Sequence, residues 1–586
     1  MRKVLPLLLC SFALIWTHEL QAHQYYVALN GNNNNPGTIT QPWRTIAYAA
    51  GGTSGIAAGD TSFVRAGNYP EIVQPSVNGT AAHHIVIMNY RDEVVTLNPG
   101  RFRFNTGRDY WTIRGLQILN SDDNGIYVTG THALGCLTVQ HCVISHHREN
   151  GIQLSSPDFG GVTVEDCVIE WNGESGGQPS GIEGSGIVMY GSTGKVWLRR
   201  NLIAYNWAKG ISHGTAAEWV ADSSVIDSNL IIDNFESGMD WWGDNSFIRY
   251  NYFCLNGTRD TENDEWGDKG LALANQASGN WVAFNVIKSS GRWELEVRGS
   301  NNRIYNNTII KDHYYATIPG SPNAAALIFW DTGGTGNEFR NNIIANYVSQ
   351  PEHHFAIIAE TYTRYTAQIW SNNLYWCPNS TAQSPYNRPF KLYNFPGQIY
   401  NTLNQIQTTF PNQEIGSIYS SPAFVSLPDS NFALALGSPA IDAGLDIGFP
   451  FNGQAPDIGR FEFSSGGTPP WISPIILDFI TDEDQSLSYS LTPHEHDQEQ
   501  TNAELTWSVS GLNPQLATAQ LDIETDLLTI TPLPDQNGSD VFTLTLTDGQ
   551  GGFASQNVNL VVNPVNDPPW IAPVVADFNV QSNQPL

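Results

Sequence analysis

The chain of 586 residues predicts an all-β protein, a long parallel β-helix followed by a β-sandwich. Two observations carry this. From Trp111 onward a short unit of alternating apolar and polar residues recurs with one polar column at its centre. After residue 463 the composition changes, and strands of alternating pattern follow without a single lysine or arginine.

The recurring units include Val139–Ile144, Val164–Ile169, Leu198–Ile203, Ile226–Ile231, Ile248–Phe253, Val282–Ile287, Ile304–Ile309 and Phe339–Ile344. Their column reads Cys142, Cys167, Asn201, Asn229, Asn251, Asn285, Asn307, Asn342, with steps of 25, 34, 28, 22, 34, 22 and 35 residues. A base coil of about 22 residues with loop insertions fits these steps, and repeats of that length mark stacked solenoid architectures. An asparagine column has a physical reason at a tight inward bend, because each amide both donates to and accepts from its neighbours. Groups otherwise buried unpaired are thereby satisfied. Cys142 and Cys167 occupy the same column, which predicts two stacked buried thiols, although their spacing also permits a disulfide.

Before the repeat, Tyr25–Ala28 reads as a strand, 30–38 as turn chemistry, and Pro42–Ala50 as a short amphipathic helix with proline in its first turn. Gly59–Tyr69 returns to strand. This opening, Tyr-Tyr-Val followed by Asn-Pro-Gly-Thr, Pro-Trp, Gly-Asp-Thr and Val-Arg-Ala-Gly, resembles the capped start of secreted right-handed β-helix proteins, notably polysaccharide lyases. The resemblance implies right-handed coils whose open end the helix plugs. Segments Ser421–Val425, Asn431–Leu434, Gly437–Gly444 and Asp457–Phe463 resemble the closing coils of such proteins.

Met1-Arg2-Lys3 followed by the apolar run Val4–Trp16 has the basic start and short core of a secretory signal, with cleavage expected after Ala22. The expected organisation is a signal over 1–22, a β-helix domain over 23–463, a linker over 464–470 and a sandwich module over 471–567. Pro469-Pro470-Trp471-Ile472 recurs as Pro568-Pro569-Trp570-Ile571, so 568–586 reads as the start of a second module in a longer chain. Asp482-Glu483-Asp484, Asp548-Gly549 and Pro564–Pro569 make the module resemble the cadherin-like tandem domains of bacterial surface proteins, and the resemblance implies calcium between modules. A solvated acidic sandwich explains the same residues.

The net charge of −29 excludes a nucleic-acid partner, which needs a basic footprint. Removing the −16 of residues 464–586 leaves −13 for the rest. No later run of about 18 apolar residues suggests a membrane span, so a secreted or cell-surface location is expected.

The chemistry concentrates between Lys209 and Arg298. Strands beginning at Gly210, Gly238, Gly270 and Glu294 fall on successive coils, and rungs stacked about 4.8 Å apart bring Lys209, Glu236, Asp240, Lys269, Glu294, Glu296 and Arg298 onto one face. Trp241, Trp242, Trp266, Trp293 and His213 flank it as sugar-binding candidates, one of Trp241 and Trp242 being expected in the wall. Cleaving a uronan by β-elimination needs a base for the C5 proton and a positive charge beside the carboxylate. Lys269, with Lys209 and Arg298 as competitors, is the candidate base. Glu236, Asp240, Glu294 and Glu296 are the candidate ligands of a calcium ion.

Glu236-Ser237-Gly238-Met239-Asp240 resembles the calcium strand D-D-G-W-D of the family 9 pectate lyases. There the family's earlier calcium aspartate falls on Lys209 and its lysine on Ala272, with Lys269 three residues away. Glu294-Leu295-Glu296 resembles the E-x-E calcium strand of the alginate lyase and chondroitinase B family, whose lysine falls on Asn301. Both resemblances imply a calcium-dependent lyase acting on an acidic polysaccharide. A glycoside hydrolase using two carboxylates among Asp240, Asp268, Glu294 and Glu296, or a non-catalytic surface adhesin, are the alternatives. Cross-strand charge pairs of purely structural origin account for the same residues.

Overall fold

The structure is a computed structural model, and it describes residues 22–565 apart from 92, 133–134, 156–160, 174–183, 191–193, 214–222, 259–267, 314–324, 330–333, 349–354, 360, 379–388, 393–401, 464–469, 474–475, 477, 498–503 and 549–551. The expected signal segment, Trp266 and the start of the second module lie outside the described residues. The described chain divides into two compact units, residues 22–424 with 437–462, and residues 425–436 with 463–565.

In the first unit each coil gives one strand to each of three parallel sheets, of 13, 12 and 13 strands. This is the right-handed parallel β-helix that the repeat predicts. A typical coil runs Val196–Arg199, Leu202–Ala204, Lys209–His213. Branched and aromatic side chains at alternate positions fill the tube, from Val27 and Trp111 to Ile344 and Phe390.

Three asparagine ladders fix the corners, where the sequence reading found one. Asn201, Asn229, Asn251, Asn285, Asn307, Asn342 and Asn373 form that predicted ladder, each side-chain oxygen accepting the backbone N–H and amide of the asparagine one coil earlier at 2.9–3.1 Å. A second ladder runs Asn172, Asn206, Asn234, Asn256, with His147 at its start. A third runs Ser224, Ser246, Asn280, Asn302, Asn337, Gln368. The residue before each member of the first ladder is left-handed without being glycine, as at Tyr250 (φ 57°), Phe284 (φ 55°) and Asn306 (φ 50°). That conformation is sterically costly, and the paired amides that follow it offset the cost. Cys142 and Cys167 stack as buried free thiols at the head of the first ladder.

Two expectations require correction. The N-terminal helix is shorter than predicted, Ile46–Ala49, because Trp43 is drawn into extended pairing with Tyr26 and Ala28. Thr45 then caps the helix, its hydroxyl accepting the Tyr48 N–H. Residues 437–462 hold no strand and are not closing coils. They form a strap along the outside of the first corner, where the left-handed asparagines donate outward, Asn341 to Leu445 O and Asn306 to Asp457 O. Phe449 of the strap packs edge-on against Trp281 and Phe284.

The second unit contains a sandwich of a four-stranded and a three-stranded sheet. Its core includes Phe479, Trp507, Leu528, Phe542 and Leu560. The acids of its signature are spent on local contacts: Glu483 accepts the Val565 N–H at 2.6 Å, Asp482 the Asn563 amide at 3.1 Å, and Asp548 the Gly552 N–H at 2.9 Å. Among the described residues no helix is long and apolar enough to cross a membrane.

Candidate active site

The 12-stranded sheet carries the charged face. Its strands Lys209–His213, Ser237–Trp241, Lys269–Leu273 and Trp293–Val297 lie in register, so that Lys209, Ser237, Lys269 and Trp293 form one row and Ser212, Asp240, Ala272 and Glu296 another. Glycine precedes the apolar core residue in the first three strands because of crowding. A Cβ on Gly210 would sit 2.6 Å from Gly238 O and 2.9 Å from the Asn234 amide of the second ladder.

The face is a charge-balanced cluster. Lys209 Nζ lies 2.8 Å from Asp240 and 4.0 Å from Glu236, and Lys269 Nζ lies 3.0 Å from Glu296. Arg298 grips the other oxygen of Glu296 with Nε at 2.8 Å and Nη2 at 2.7 Å. Burial pushes the Asp240 carboxyl up, but Lys209, Lys269 and Arg298 together outweigh burial and hold it below the usual carboxylate range. Asp240 Oδ1 is buried with no hydrogen-bond partner among the described residues. Three acids, Glu236, Asp240 and Glu296, thus face three bases.

This arrangement does not fit calcium. A calcium shell needs six or more oxygens converging on one point, whereas Asp240 and Glu296 lie two rungs apart, separated by Ala272, and each is already bound to a cation. The fourth expected ligand, Glu294, is not on the face. It stands where the earlier coils have glycine, wholly buried, and its carboxylate accepts the Ser290 N–H at 3.0 Å and pairs with Lys311 at 3.4 Å. Burial pushes the Glu294 carboxyl up while Lys311 opposes it. Lys311 also donates to Ser290 O and Gly291 O, so this pair closes the wall.

The aromatic expectations divide. Trp241 is the one in the wall, inside the tube with its Nε1 3.4 Å from Asn280, and Trp242 is half-buried just beyond the strand. Trp293 is only 2% exposed and packs on Ala325, Ile328, Phe355 and Ile358 under the Arg292 guanidinium, so it offers no ring face to a sugar. His213, expected on the face, is also buried, 5.6 Å from Trp241, and burial lowers its pKa to about 4. The causes differ: Trp293 shares the row of Lys209 and Lys269 and is covered by apolar neighbours, whereas His213 and Trp241 follow Ser212 and Asp240 by one residue and so turn into the tube.

Sequence reasoning missed an aromatic pair at the rim of the face. Trp207, two residues before Lys209, is 39% exposed and stacks on Phe235, the residue before Glu236, with ring centroids 4.9 Å apart. Two aromatics a fixed step before successive charged strands were the available signal. Asn301, where one resemblance puts a lysine, is a left-handed corner residue.

Comparison with known proteins bears on the fold. Residues 25–167 match the family described as Pel9A-like, right handed beta helix region, residues 103–287 match a right handed beta helix region, and residues 469–561 match a bacterial Ig domain. Pectate lyase L of Paenibacillus polymyxa (strain SC2) is 32% identical over 146 residues, which cover 23% of this chain and 31% of that protein. The uncharacterized protein YwoF of Bacillus subtilis (strain 168) is 28% identical over 149 residues, covering 23% of this chain and 30% of that one. The chain therefore spans about a third of the length of the curated relatives it matches. Among solved structures, pectate lyase Pel9A aligns at 17% identity over 75% of this chain and 96% of that one, with a TM-score of 0.41. The complex of XylC with xylose aligns at 13% identity over 60% and 83%, with a TM-score of 0.42. The right-handed β-helix seen in the first unit is thus matched by β-helix family models over residues 25–287, and the sandwich by a bacterial Ig model over residues 469–561.

Proposed function

We propose that the β-helix unit is an exported polysaccharide-cleaving enzyme and that it acts on an acidic polysaccharide by β-elimination. One observation carries the reading: Lys209, Lys269 and Arg298 gather with their acids on four successive rungs of one outward face. The pectate lyase among the relatives supports the substrate class. Arg298, the most exposed of the three bases at 15%, meets the substrate carboxylate and stabilises the charge that develops beside C5. Lys269, once its ammonium has passed a proton to solvent, takes the C5 proton on Nζ, and Glu296 positions it. The C4–O bond breaks, its electron pair leaves on the glycosidic oxygen, and the Lys209 ammonium held by Asp240 returns a proton there. The products are a new chain end and an uronate with a C4–C5 double bond. Side-chain cations supply the neutralising charge, so no step is routed through a metal.

A hydrolase is the second reading, favoured by one feature. Asp240 and Glu296 flank Ala272, so their Cα atoms are two rungs or about 9.6 Å apart, and inverting glycosidases hold their carboxyls roughly 6.5–9.5 Å apart. Against it, a general acid must keep its proton, and Asp240 is held ionised by its cations. Incubation with a panel of uronans and neutral glycans, with and without chelator, separates the readings. Conjugated-alkene absorbance from a uronan, unchanged by chelator, is expected. New reducing ends without absorbance would replace the lyase by the hydrolase, and no cleavage of any glycan would favour the adhesin.

A further inference from the structure

Away from the charged face, three buried side chains of different chemistry meet. Asp109, His132 and Cys136 each offer one ligand atom, and these atoms lie within 4.8 Å of one another. Asp109 leads into the strand Trp111–Arg114, and His132 and Cys136 sit four residues apart in the connection between Ile126–Thr129 and Leu137–Gln140. The two coils are locked together there, with the Trp111 N–H donating to Cys136 O at 3.1 Å and Leu137 in register with Trp111. The three ligands are therefore held by rigid sheet on both sides. This coil lies two rungs before that of Lys209 along the first sheet.

The hydrogen bonds of His132 show what the cluster lacks. Its Nε2 is 3.1 Å from Thr129 O. A carbonyl only accepts, so Nε2 carries the hydrogen. That leaves Nδ1 facing Asp109 Oδ1 at 2.9 Å. In the neutral tautomer this puts a lone pair against a carboxylate, two acceptors in contact and both buried. A cation must stand between them, either a second proton on the ring or a metal ion. The Cys136 thiol, packed in the core beside them, favours the metal, because it adds a sulfur donor to the nitrogen and oxygen. A backbone carbonyl that fixes the tautomer and frees the other nitrogen is also the usual outer partner of a metal-bound histidine.

We propose that Asp109, His132 and Cys136 bind a zinc-type divalent cation that staples two successive coils of the β-helix. Nitrogen, sulfur and oxygen donors in one set suit zinc, and harder ions such as calcium take oxygen alone. Zinc bonds of about 2.0–2.3 Å place tetrahedral ligands roughly 3.3–3.8 Å apart, so the sulfur closes by at most about 1.3 Å while His132 Nδ1 and Asp109 Oδ1, now 2.9 Å apart, open by roughly 0.4 Å. Binding releases the Cys136 proton to solvent, since the ligand is the thiolate. Protons compete with the metal for the thiolate, so zinc uptake is expected to weaken as pH falls. All three residues are buried, and the role is structural.

The test uses the full chain, stripped with chelator and dialysed, then titrated with zinc alone or cobalt alone. Expected are one equivalent of cobalt with a thiolate-to-cobalt charge-transfer band, and a melting temperature several degrees higher in excess zinc. Cys136→Ser should abolish the band and His132→Gln the thermal response, while Cys142→Ser, at a buried thiol outside the cluster, should leave both. Asp109→Asn provides an independent check should Cys136→Ser fold poorly by circular dichroism. Absence of stoichiometric binding with unchanged melting would overturn the proposal in favour of a plain imidazolium–carboxylate pair. A band that survives Cys136→Ser would place the metal elsewhere and overturn it equally.

Discussion

The corner ladders and the charged face are both stacks of polar groups in register along one β-helix, yet they obey opposite rules. In a ladder one residue type repeats, and every amide gives to one neighbour what it receives from the other. On the face the sign of charge alternates from rung to rung, and no residue type repeats on consecutive rungs. Repetition satisfies the wall completely and leaves nothing for a ligand. Alternation leaves residual capacity: Asp240 keeps one buried oxygen without a partner among the described residues. The same sheet loses this character within two rungs, since the row Asp240, Ala272, Glu296 continues as Ile328 and Ile358, both apolar and buried under Trp293. A polar stack is thus wall where it is uniform and a candidate site where it is mixed.

The sharpest way to break the comparison is to remove the candidate base. Lys269→Gln should lower turnover on a cleavable uronan by about 10² to 10⁴ with little change in melting temperature, because Arg298 still holds Glu296. Full activity in this variant would exclude Lys269 from the chemistry. A structural ion pair should behave in the reverse sense. Lys311→Met leaves Glu294 buried and uncompensated, and removing one partner of such a pair costs about 3–5 kcal/mol. Adding Glu294→Gln should recover most of that loss in denaturant unfolding.

Acid should probe the wall through its buried histidines. His147 accepts the Ser121 N–H on Nδ1 and donates from Nε2 to Ile118 O, a neutral ring with no room for a second proton. Burial lowers His147 and His213 from 6.5 to about 4. The unfolded chain therefore takes up protons first as pH falls. The contribution is complete above about pH 7 and is lost between 6.5 and 4, up to about 3 kcal/mol for each ring. Urea midpoints at a series of pH values should fall over that window, and His147→Gln should flatten the slope. Breaking a ladder should cost less. Asn251→Ala removes its bonds to Asn229, Asn285 and Ile226 O, about 1–3 kcal/mol for groups left unsatisfied. Trp207→Ala should have the smallest effect, a several-fold rise in KM with kcat and melting unchanged, in keeping with a ring of about 1 kcal/mol at a sugar.

How much of this was legible depended on repetition. The first ladder could be read because asparagine recurs at one position from Asn201 to Asn342. The second and third escaped because His147, Ser224 and Ser246 break the spelling while keeping the geometry. The row of charged residues was legible as a cluster, and its pairing partners were not. Glu294 and Glu296 differ by two positions, which suggests one face, but the bend after the glycine column turns Glu294 into the wall. His213 turns inward for a simpler reason, since it follows the outward Ser212 by one residue. The strap over 437–462 could not be foreseen, since its contacts with Asn306 and Asn341 span more than a hundred residues.

The central claim is that the mixed stack cleaves by elimination, and cleavage of a uronan in ¹⁸O-labelled water tests it most directly. Elimination adds no water across the broken bond. The account predicts that the mass spectrum shows one fragment lighter by a water molecule, carrying the unsaturated uronate, and no label at the new chain ends. Fragments of normal mass with one ¹⁸O at the cleaved bond would contradict it and assign the carboxylates of the face to hydrolysis.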